Sequence, residues 1–145
     1  DIIVNIQGDL PNVTASMING AIQAANLGDI GTVASPITDS YDITSPSVVK
    51  IALSSSGRAL YFSRAPIPHN ALQYYHHIGI YAYHREILDR YVTLEPTLLE
   101  NQENLEQLRA MESGMSIYVT HVDETPISID TQADYEKLLT MKSSF

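Results

Sequence analysis

The chain contains no cysteine and no long apolar run. Without cysteine, its 145 residues exclude disulfides, zinc sites built on thiolates and a cysteine nucleophile; this composition is compatible with the cytoplasm. No apolar stretch approaches the ~20 residues that a membrane-spanning helix needs. No basic leader precedes an apolar segment, but the chain begins at Asp1 within a strand-like run, so we expect a natural N-terminus, with any targeting segment, to lie upstream.

Positive charge is also scarce. Eight Lys and Arg residues face 17 Asp and Glu residues, which gives a net charge of −9. This balance argues against a non-specific nucleic-acid binder, which needs a basic surface. A polyanionic substrate would need a metal ion or a basic segment outside this chain. Hydrophobic residues make up 44% of the chain, which predicts a globular domain with a sizeable core rather than a disordered one.

Short apolar runs alternate with helix-like periods along the chain. The patterns predict strands at 2–6, 32–35, 48–53, 59–63, 75–83 and 117–122. They predict helices at 14–27, 86–91, 98–112 and 131–141, the first capped by Thr14 and the last by a box of Thr131 and Asp134. This mixture predicts an α/β domain with a mainly parallel sheet and an inserted antiparallel portion.

The strand at 75–83 has a period of two that separates polar from apolar residues. One face would carry His77, Gly79, Tyr81 and Tyr83, and the other His76, Ile78, Ile80 and Ala82. We therefore predict that His77 and Tyr81 face a polar cleft while Ile78 and Ile80 face the core. A tyrosine-rich packing face is the alternative. A zinc site is disfavoured, because adjacent histidines in a strand point to opposite faces.

Two carboxylates are candidate magnesium ligands. Asp9 follows a buried strand through a Gly8 turn, and ligands bind at the carboxyl ends of strands in open α/β sheets. Mg²⁺ takes oxygen ligands, often one or two carboxylates together with substrate phosphates. Asp130 precedes the last predicted helix. The alternatives are an Asp that bonds its own turn for Asp9, and an N-cap for Asp130.

Other polar residues lie where they can meet a ligand. Arg64 ends a predicted strand and has the geometry to hold a carboxylate bidentately, although a surface arginine is equally consistent. Glu106, Gln107 and Arg109 share a predicted helix, for which a solvated face is the usual explanation.

Five segments together resemble the CMP-Kdo synthetases, which are 3-deoxy-manno-octulosonate cytidylyltransferases. They follow the order of that family over nearly the whole chain, and the Tyr-Phe-Ser-Arg and Leu-Glu-Gln-Leu-Arg runs distinguish it from other sugar nucleotidyltransferases. The segments are Val4-Asn5-Ile6-Gln7-Gly8-Asp9, Tyr61-Phe62-Ser63-Arg64-Ala65-Pro66-Ile67-Pro68, His77-Ile78-Gly79-Ile80-Tyr81-Ala82-Tyr83, Leu105-Glu106-Gln107-Leu108-Arg109-Ala110 and Ile129-Asp130-Thr131.

The resemblance implies a nucleotide-diphospho-sugar transferase-like (Rossmann-like) fold and the transfer of CMP from CTP to Kdo with release of pyrophosphate. It implies a cytoplasmic homodimer that serves lipopolysaccharide synthesis, with Asp9 and Asp130 as catalytic Mg²⁺ ligands. Around the sugar acid it implies Gln7, Arg64, His77, Tyr81, Glu106 and Gln107.

The chain departs from the family at several points. Leu10 replaces a common Glu, His84 a common Arg or Lys, and Gln132-Ala133 a Pro-Glu pair. The Arg-x-x-Ser-x-Arg-x-Pro-x-Lys loop that holds the CTP phosphates has no match. We therefore expect residues 1–145 to form one partial cytidylyltransferase domain that lacks its N-terminal part and is inactive alone. A non-catalytic or dimerisation module, and a cytidylyltransferase for a related sugar acid, are the alternatives.

Overall fold

The structure is a computed structural model that describes residues 1–124 and 131–142. The strands are β1 (Ile2–Ile6), β2 (Ile30–Pro36), β3 (Lys50–Leu53), β4 (Ala59–Ser63), β5 (Tyr75–His84) and β6 (Ile117–His121). The helices are α1 (Ala15–Ala25), α2 (Ser40–Thr44), α3 (Arg85–Tyr91), α4 (Leu98–Glu103), α5 (Gln107–Glu112) and α6 (Gln132–Lys142). None of the described helices combines the length and the apolar character needed to cross a membrane.

The strands of the described ranges form one sheet around β5. Its order is β4-β3-β5-β2-β6, and β1 pairs with β5 outside this path. β5 is ten residues long, so one of its edges accommodates both β1, which pairs along 80–84, and β3, which pairs at His76. Its other edge pairs with β2. The length of β5 therefore places the ends of β1 and β3 side by side.

The α/β class is confirmed, and the sheet is mixed. Within the described residues, β2 and β6 form a parallel pair, whereas β5 runs antiparallel to β1, β2 and β3, and β4 runs antiparallel to β3. The expected predominance of parallel pairs is therefore not seen among the described strands. The cause is β5, which runs against its neighbours on both edges even though β1, β2 and β6 share one direction.

The two faces of β5 pack into different apolar clusters, as its period predicts. Ile78 and Ile80 are 1% and 0% exposed and pack with Met17 and Ala21 of α1. Tyr81 lies on the other side, in a cluster with buried side chains from β3, β4, α5 and β6. The sheet thus separates one apolar core, which lies beneath α1, from a second core on the face of β5 that carries Tyr81.

Helix ends agree with the sequence in two places and differ in a third. The Thr14 hydroxyl accepts a hydrogen bond from the amide of Met17, and Thr131 and Asp134 exchange side-chain and backbone bonds of 3.0 and 3.2 Å as a capping box does. The single helix predicted over 98–112 is wrong. Asn104 adopts a left-handed conformation (φ 56°), which ends α4, and α5 starts afresh. Asn tolerates that conformation better than most residues.

Candidate functional site

A cavity of about 580 Å³ opens where β1, β5 and the junction of α4 and α5 meet. Seven of the eight residues predicted to form the site line it. The eighth, Asp130, lies outside the described residues, so its predicted proximity to Asp9 stays a prediction. The seven that the fold brings together are Gln7, Asp9, Arg64, His77, Tyr81, Glu106 and Gln107.

Gln7 and Asp9 reach the cavity from the end of β1. Both are exposed, and their positions follow from the pairing of Ile6 with Ile80 of β5. Opposite them lies Gly79, where an added Cβ would stand 3.1 Å from Cγ of Gln7. A side chain at this position would force the Gln7 side chain to move, so the absence of a side chain at residue 79 lets Gln7 occupy its place in the cavity wall.

His77 and Tyr81 line the cavity from β5 with only 8% of each residue exposed. The His77 ring stacks edge-on to Phe62 at 4.9 Å and lies 5.5 Å from the Tyr81 ring. Burial lowers the pKa of His77 to about 3, and the neighbouring His76 acts in the same direction. Burial likewise raises the pKa of Tyr81. Both groups are therefore neutral near pH 7.

His76 lines the cavity as well, although the alternation predicted it on the opposite face from His77. It is half-buried, and burial lowers its pKa. Its backbone pairs with Ser35 of β2 and with Lys50 of β3, so β5 is held on both edges at this point. The cavity therefore lies in the gap along this edge of β5, between the end of β3 at His76 and the end of β1 at Ile80.

The guanidinium of Arg64 is largely engaged by backbone carbonyls. Its Nε donates to the carbonyl oxygen of Glu103 at 2.8 Å, Nη1 to that of Pro46 at 2.9 Å and Nη2 to that of Asn104 at 3.1 Å. Arginine has five N–H groups, so two remain for a ligand. Arg64 thus joins two segments on either side of the cavity, a role that the sequence did not indicate.

Glu103 completes this junction. Its carboxylate accepts hydrogen bonds from the Ser63 hydroxyl at 2.9 Å, the Tyr61 hydroxyl at 3.2 Å and the amide of Arg64 at 3.1 Å. The end of β4 is therefore fastened to the end of α4 by side chain and backbone together. The carboxylate also raises the pKa of Tyr61, after the larger effect of burial.

A second cation holds the loop between α2 and β3. Lys50 is fully buried, and its ammonium donates to the carbonyl oxygens of Ser45 and Val48. Burial lowers its pKa, and the nearby positive charge of Arg64 adds to the effect. Because Ser47 lines the cavity, Lys50 and Arg64 together fix one of its walls.

An ion pair joins α4 to α5 beside the cavity. The guanidinium of Arg109 binds the buried Glu100 carboxylate through two hydrogen bonds of 2.6 and 2.8 Å. These bonds hold the pKa of Glu100 below its usual value, although burial acts the other way. Arg109 also lies 5.7 Å over the Tyr91 ring, whose hydroxyl donates to the carbonyl oxygen of Glu106. Arg109 therefore does not lie on a solvated helix face, which was the usual explanation of its position; it binds α5 to α4 through Glu100.

Glu106 and Gln107 present different chemistry to the cavity. Glu106 is exposed at the N-cap of α5, whereas Gln107, the first residue of that helix, is 7% exposed. The Nε2 amide of Gln107 is buried and has no hydrogen-bond partner among the described residues. A buried amide without a partner costs on the order of 1–3 kcal/mol, so such a donor is expected to meet a ligand or an ordered water.

The described residues include no group of three or more His, Asp or Glu side chains placed to hold a metal ion. Asp9 supplies one carboxylate at the exposed edge of the cavity. A single hard oxygen donor suits Mg²⁺, which keeps several waters and shares substrate phosphates, better than it suits a closed protein cage. The donor chemistry present therefore fits a magnesium ion held jointly with a ligand.

Sequence reasoning missed residues that act behind the cavity wall. Thr32 of β2 is fully buried, and its hydroxyl lies 2.9 Å from Nε2 of His77. A β-branched residue in a strand resembles ordinary packing, so nothing local marks it. Glu100 was equally hidden, because its partner Arg109 is recognised only once α4 and α5 fold against each other.

Comparison with known proteins gives a consistent result. Residues 1–117 match the family model described as "Cytidylyltransferase". The chain is 46% identical over 143 residues to the 3-deoxy-manno-octulosonate cytidylyltransferase of Rhizobium meliloti (strain 1021), covering 94% of this chain and 57% of the relative. It is 48% identical over 141 residues to the protein of the same name from Rhizobium etli (strain CIAT 652), covering 93% and 56%.

A solved structure agrees with these relatives. A CMP:2-keto-3-deoxy-manno-octonic acid synthetase complexed with CTP superposes with a TM-score of 0.89 at 34% identity, covering 99% of this chain and 62% of that one. The predicted nucleotide-diphospho-sugar transferase-like fold is thereby confirmed. The chain spans between half and two thirds of the length of the proteins that it matches.

Proposed function

This chain belongs to the cytidylyltransferase family, and on that premise we propose that the protein carrying it transfers CMP from CTP to the anomeric hydroxyl of 3-deoxy-manno-octulosonate (Kdo), giving CMP-Kdo and pyrophosphate. The observation that carries the proposal is the convergence of seven residues, distant in sequence, on one polar cavity. In this reaction the sugar hydroxyl attacks the α-phosphorus of CTP and pyrophosphate leaves. The protein contributes by positioning and electrostatics rather than by a covalent intermediate.

We assign the hydroxylated sugar acid to the polar groups of the cavity. The Gln107 amide, which has no hydrogen-bond partner among the described residues, is a donor. The exposed Glu106 carboxylate is an acceptor, and the neutral Tyr81 hydroxyl can act as either. Gln7 and His77 complete this set. Arg64, with two N–H groups left after its backbone bonds, is assigned to the carboxylate of the sugar acid or to a phosphate.

The triphosphate requires compensating charge, because the chain itself carries −9. We assign Asp9, together with Asp130 from outside the described residues, to a magnesium ion. When bound, this ion would supply Lewis-acid stabilisation of the phosphate oxygens and the departing pyrophosphate. The remaining positive charge would come from basic groups in the part of the relatives that this chain does not span. The proposal includes a cytoplasmic homodimer that serves lipopolysaccharide synthesis.

The test is pyrophosphate release from CTP with a panel of sugar acids in the presence of Mg²⁺. The protein extended to the length of its relatives is expected to release pyrophosphate with Kdo, whereas the 145-residue chain alone is not. Robust release by the short chain would show that the phosphate site is built from residues within it. Preference for another acid would reassign the substrate within the same chemistry.

A matched pair of glutamines isolates the cavity. Gln107→Ala removes the buried donor and is expected to raise the Michaelis constant (KM) for Kdo more than that for CTP. Gln102→Ala removes an exposed amide of α4 that does not line the cavity, and is expected to leave both constants unchanged. Equal effects of the two substitutions would contradict the assignment of the cavity to the sugar acid.

A further inference from the structure

An irregularity in the sheet lies directly behind the His77 side chain. The register between β2 and β5 passes from the pair Thr32–Tyr81 to the pair Val33–Ile78, so Gly79 and Ile80 have no partner on β2. Such bulges disrupt the ladder locally and are common beside active sites. Here the hydroxyl of Thr32 takes the place of a ladder donor and lies 2.7 Å from the carbonyl oxygen of Ile80.

The position of the single hydroxyl proton of Thr32 follows from its neighbours. Its Oγ1 also lies 3.3 Å from the carbonyl oxygen of Ile78 and 2.9 Å from Nε2 of His77. The carbonyls can only accept. If the proton pointed at His77, Oγ1 would face the oxygen of Ile80 at 2.7 Å with lone pairs on both atoms. The hydroxyl must therefore donate to Ile80 and accept from an Nε2–H group.

The protonation of the other ring nitrogen of His77, Nδ1, then follows from the neutral charge of the ring. Burial, reinforced by His76, lowers the pKa of His77 to about 3, so the ring carries one proton near pH 7. If that proton sits on Nε2, Nδ1 has a free lone pair. In the described part of the chain, the bond to Thr32 is the one side-chain hydrogen bond of this ring, and His77 lines the cavity.

We propose that Thr32 is a positioning residue that fixes His77 as the Nε2–H tautomer, so that Nδ1 meets the ligand as an acceptor and selects a hydroxyl over a carboxylate or phosphate. The identity of that ligand rests on the proposed function, whereas the tautomer does not. An acceptor cannot hydrogen-bond an ionised oxygen, but a sugar hydroxyl can donate to it. The Gln107 amide adds a donor in the same cavity, so both halves of hydroxyl recognition are present.

The tautomer is measured directly by ¹⁵N NMR of histidine-labelled full-length protein, in which the two ring nitrogens report whether each carries a proton. His77→Gln assigns the signals. We expect protonated Nε2 and unprotonated Nδ1 in the free protein at pH 7, unchanged in Thr32→Ser. In Thr32→Val the population is expected to shift toward Nδ1–H. Protonated Nδ1 in the wild-type protein would overturn the proposal, even if Thr32→Val does not fold.

Steady-state kinetics then test the selectivity. Thr32→Val is expected to raise KM for the sugar acid roughly 2- to 12-fold, the range of one neutral hydrogen bond, with KM for CTP unchanged and with rescue by Thr32→Ser. One analogue lacking a single hydroxyl should lose this sensitivity to Thr32→Val. If every analogue remains equally sensitive, the acceptor role is wrong. If no sugar acid is turned over, the proposed function fails while the NMR result still decides the tautomer.

Discussion

The backbone of α1 lies very close to the sheet at Gly31 of β2. An added Cβ at Gly31 would overlap the carbonyl oxygen of Ala21 and the amide nitrogen of Ala25, and would lie 2.9 Å from the carbonyl carbon of Ala24. All three contacts are helix backbone, which cannot rotate away as a side chain can. Gly31→Ala must therefore push α1 off the sheet rather than be accommodated locally.

The size of the effect follows from these distances. Carbon atoms pack at about 3.5–4.0 Å, so the Ala24 contact alone requires a withdrawal of at least about 0.6 Å. Overpacking of this kind costs typically 1–3 kcal/mol. We expect about 3 kcal/mol here, because α1 buries Met17, Ala21, Ala24 and Ala25. At 2–4 °C per kcal/mol, the melting temperature should fall by roughly 6–12 °C.

The assay is urea unfolding of the full protein, in which the free energy of unfolding of Gly31→Ala is compared with that of the control variant Gly8→Ala. An added Cβ at Gly8 meets nothing within 4 Å, so that substitution is expected to stay within about 0.5 kcal/mol of wild type. Gly20→Ala should lie between the two, because its added Cβ meets the movable side chain of Val33 at 2.9 Å. If Gly31→Ala were as stable as Gly8→Ala, the close packing of the α1 backbone on β2 would be refuted.

Three further predictions concern charged and titrating groups. Asp9→Asn should reduce turnover strongly without unfolding the protein; full activity at ordinary Mg²⁺ would contradict the magnesium role proposed for Asp9. The pKa of His77 is 6.5 in the unfolded chain and about 3 in the folded protein, where burial lowers it. The free energy of unfolding therefore falls as the pH drops from 6.5 to 3, by at most about 1.4 kcal/mol per pH unit from this group. His77→Gln should make that slope shallower, and an unchanged slope would contradict its burial as a neutral ring. Glu100→Gln should lower the free energy of unfolding above pH 4.5. The gap in this free energy between variant and wild type should narrow below pH 4.5, as acid protonates Glu100 and weakens its pair with Arg109. A gap that stays constant down to pH 3 would argue against that pair.

The sequence alone determined the features that depend on neighbouring residues. The alternation along β5 predicted that Ile78 and Ile80 are buried on one face and that His77 and Tyr81 line a cavity on the other. Side chains alternate across a strand whatever it pairs with, so this division needs no tertiary information. Thr14 likewise caps α1, because its hydroxyl reaches the amide of Met17 within a single turn.

Features that depend on distant partners follow only from the folded chain. The break at Asn104 divides a segment that has continuous helical periodicity. Arg64 binds the carbonyl oxygens of Glu103 and Asn104 only because the end of α4, which is 39 and 40 positions away in sequence, folds back against it. Thr32 meets the His77 ring although the two residues are 45 positions apart, because the register between β2 and β5 shifts beside them. A hydrogen bond depends on distance and direction in space, and local periodicity carries no information about which distant group will supply the partner.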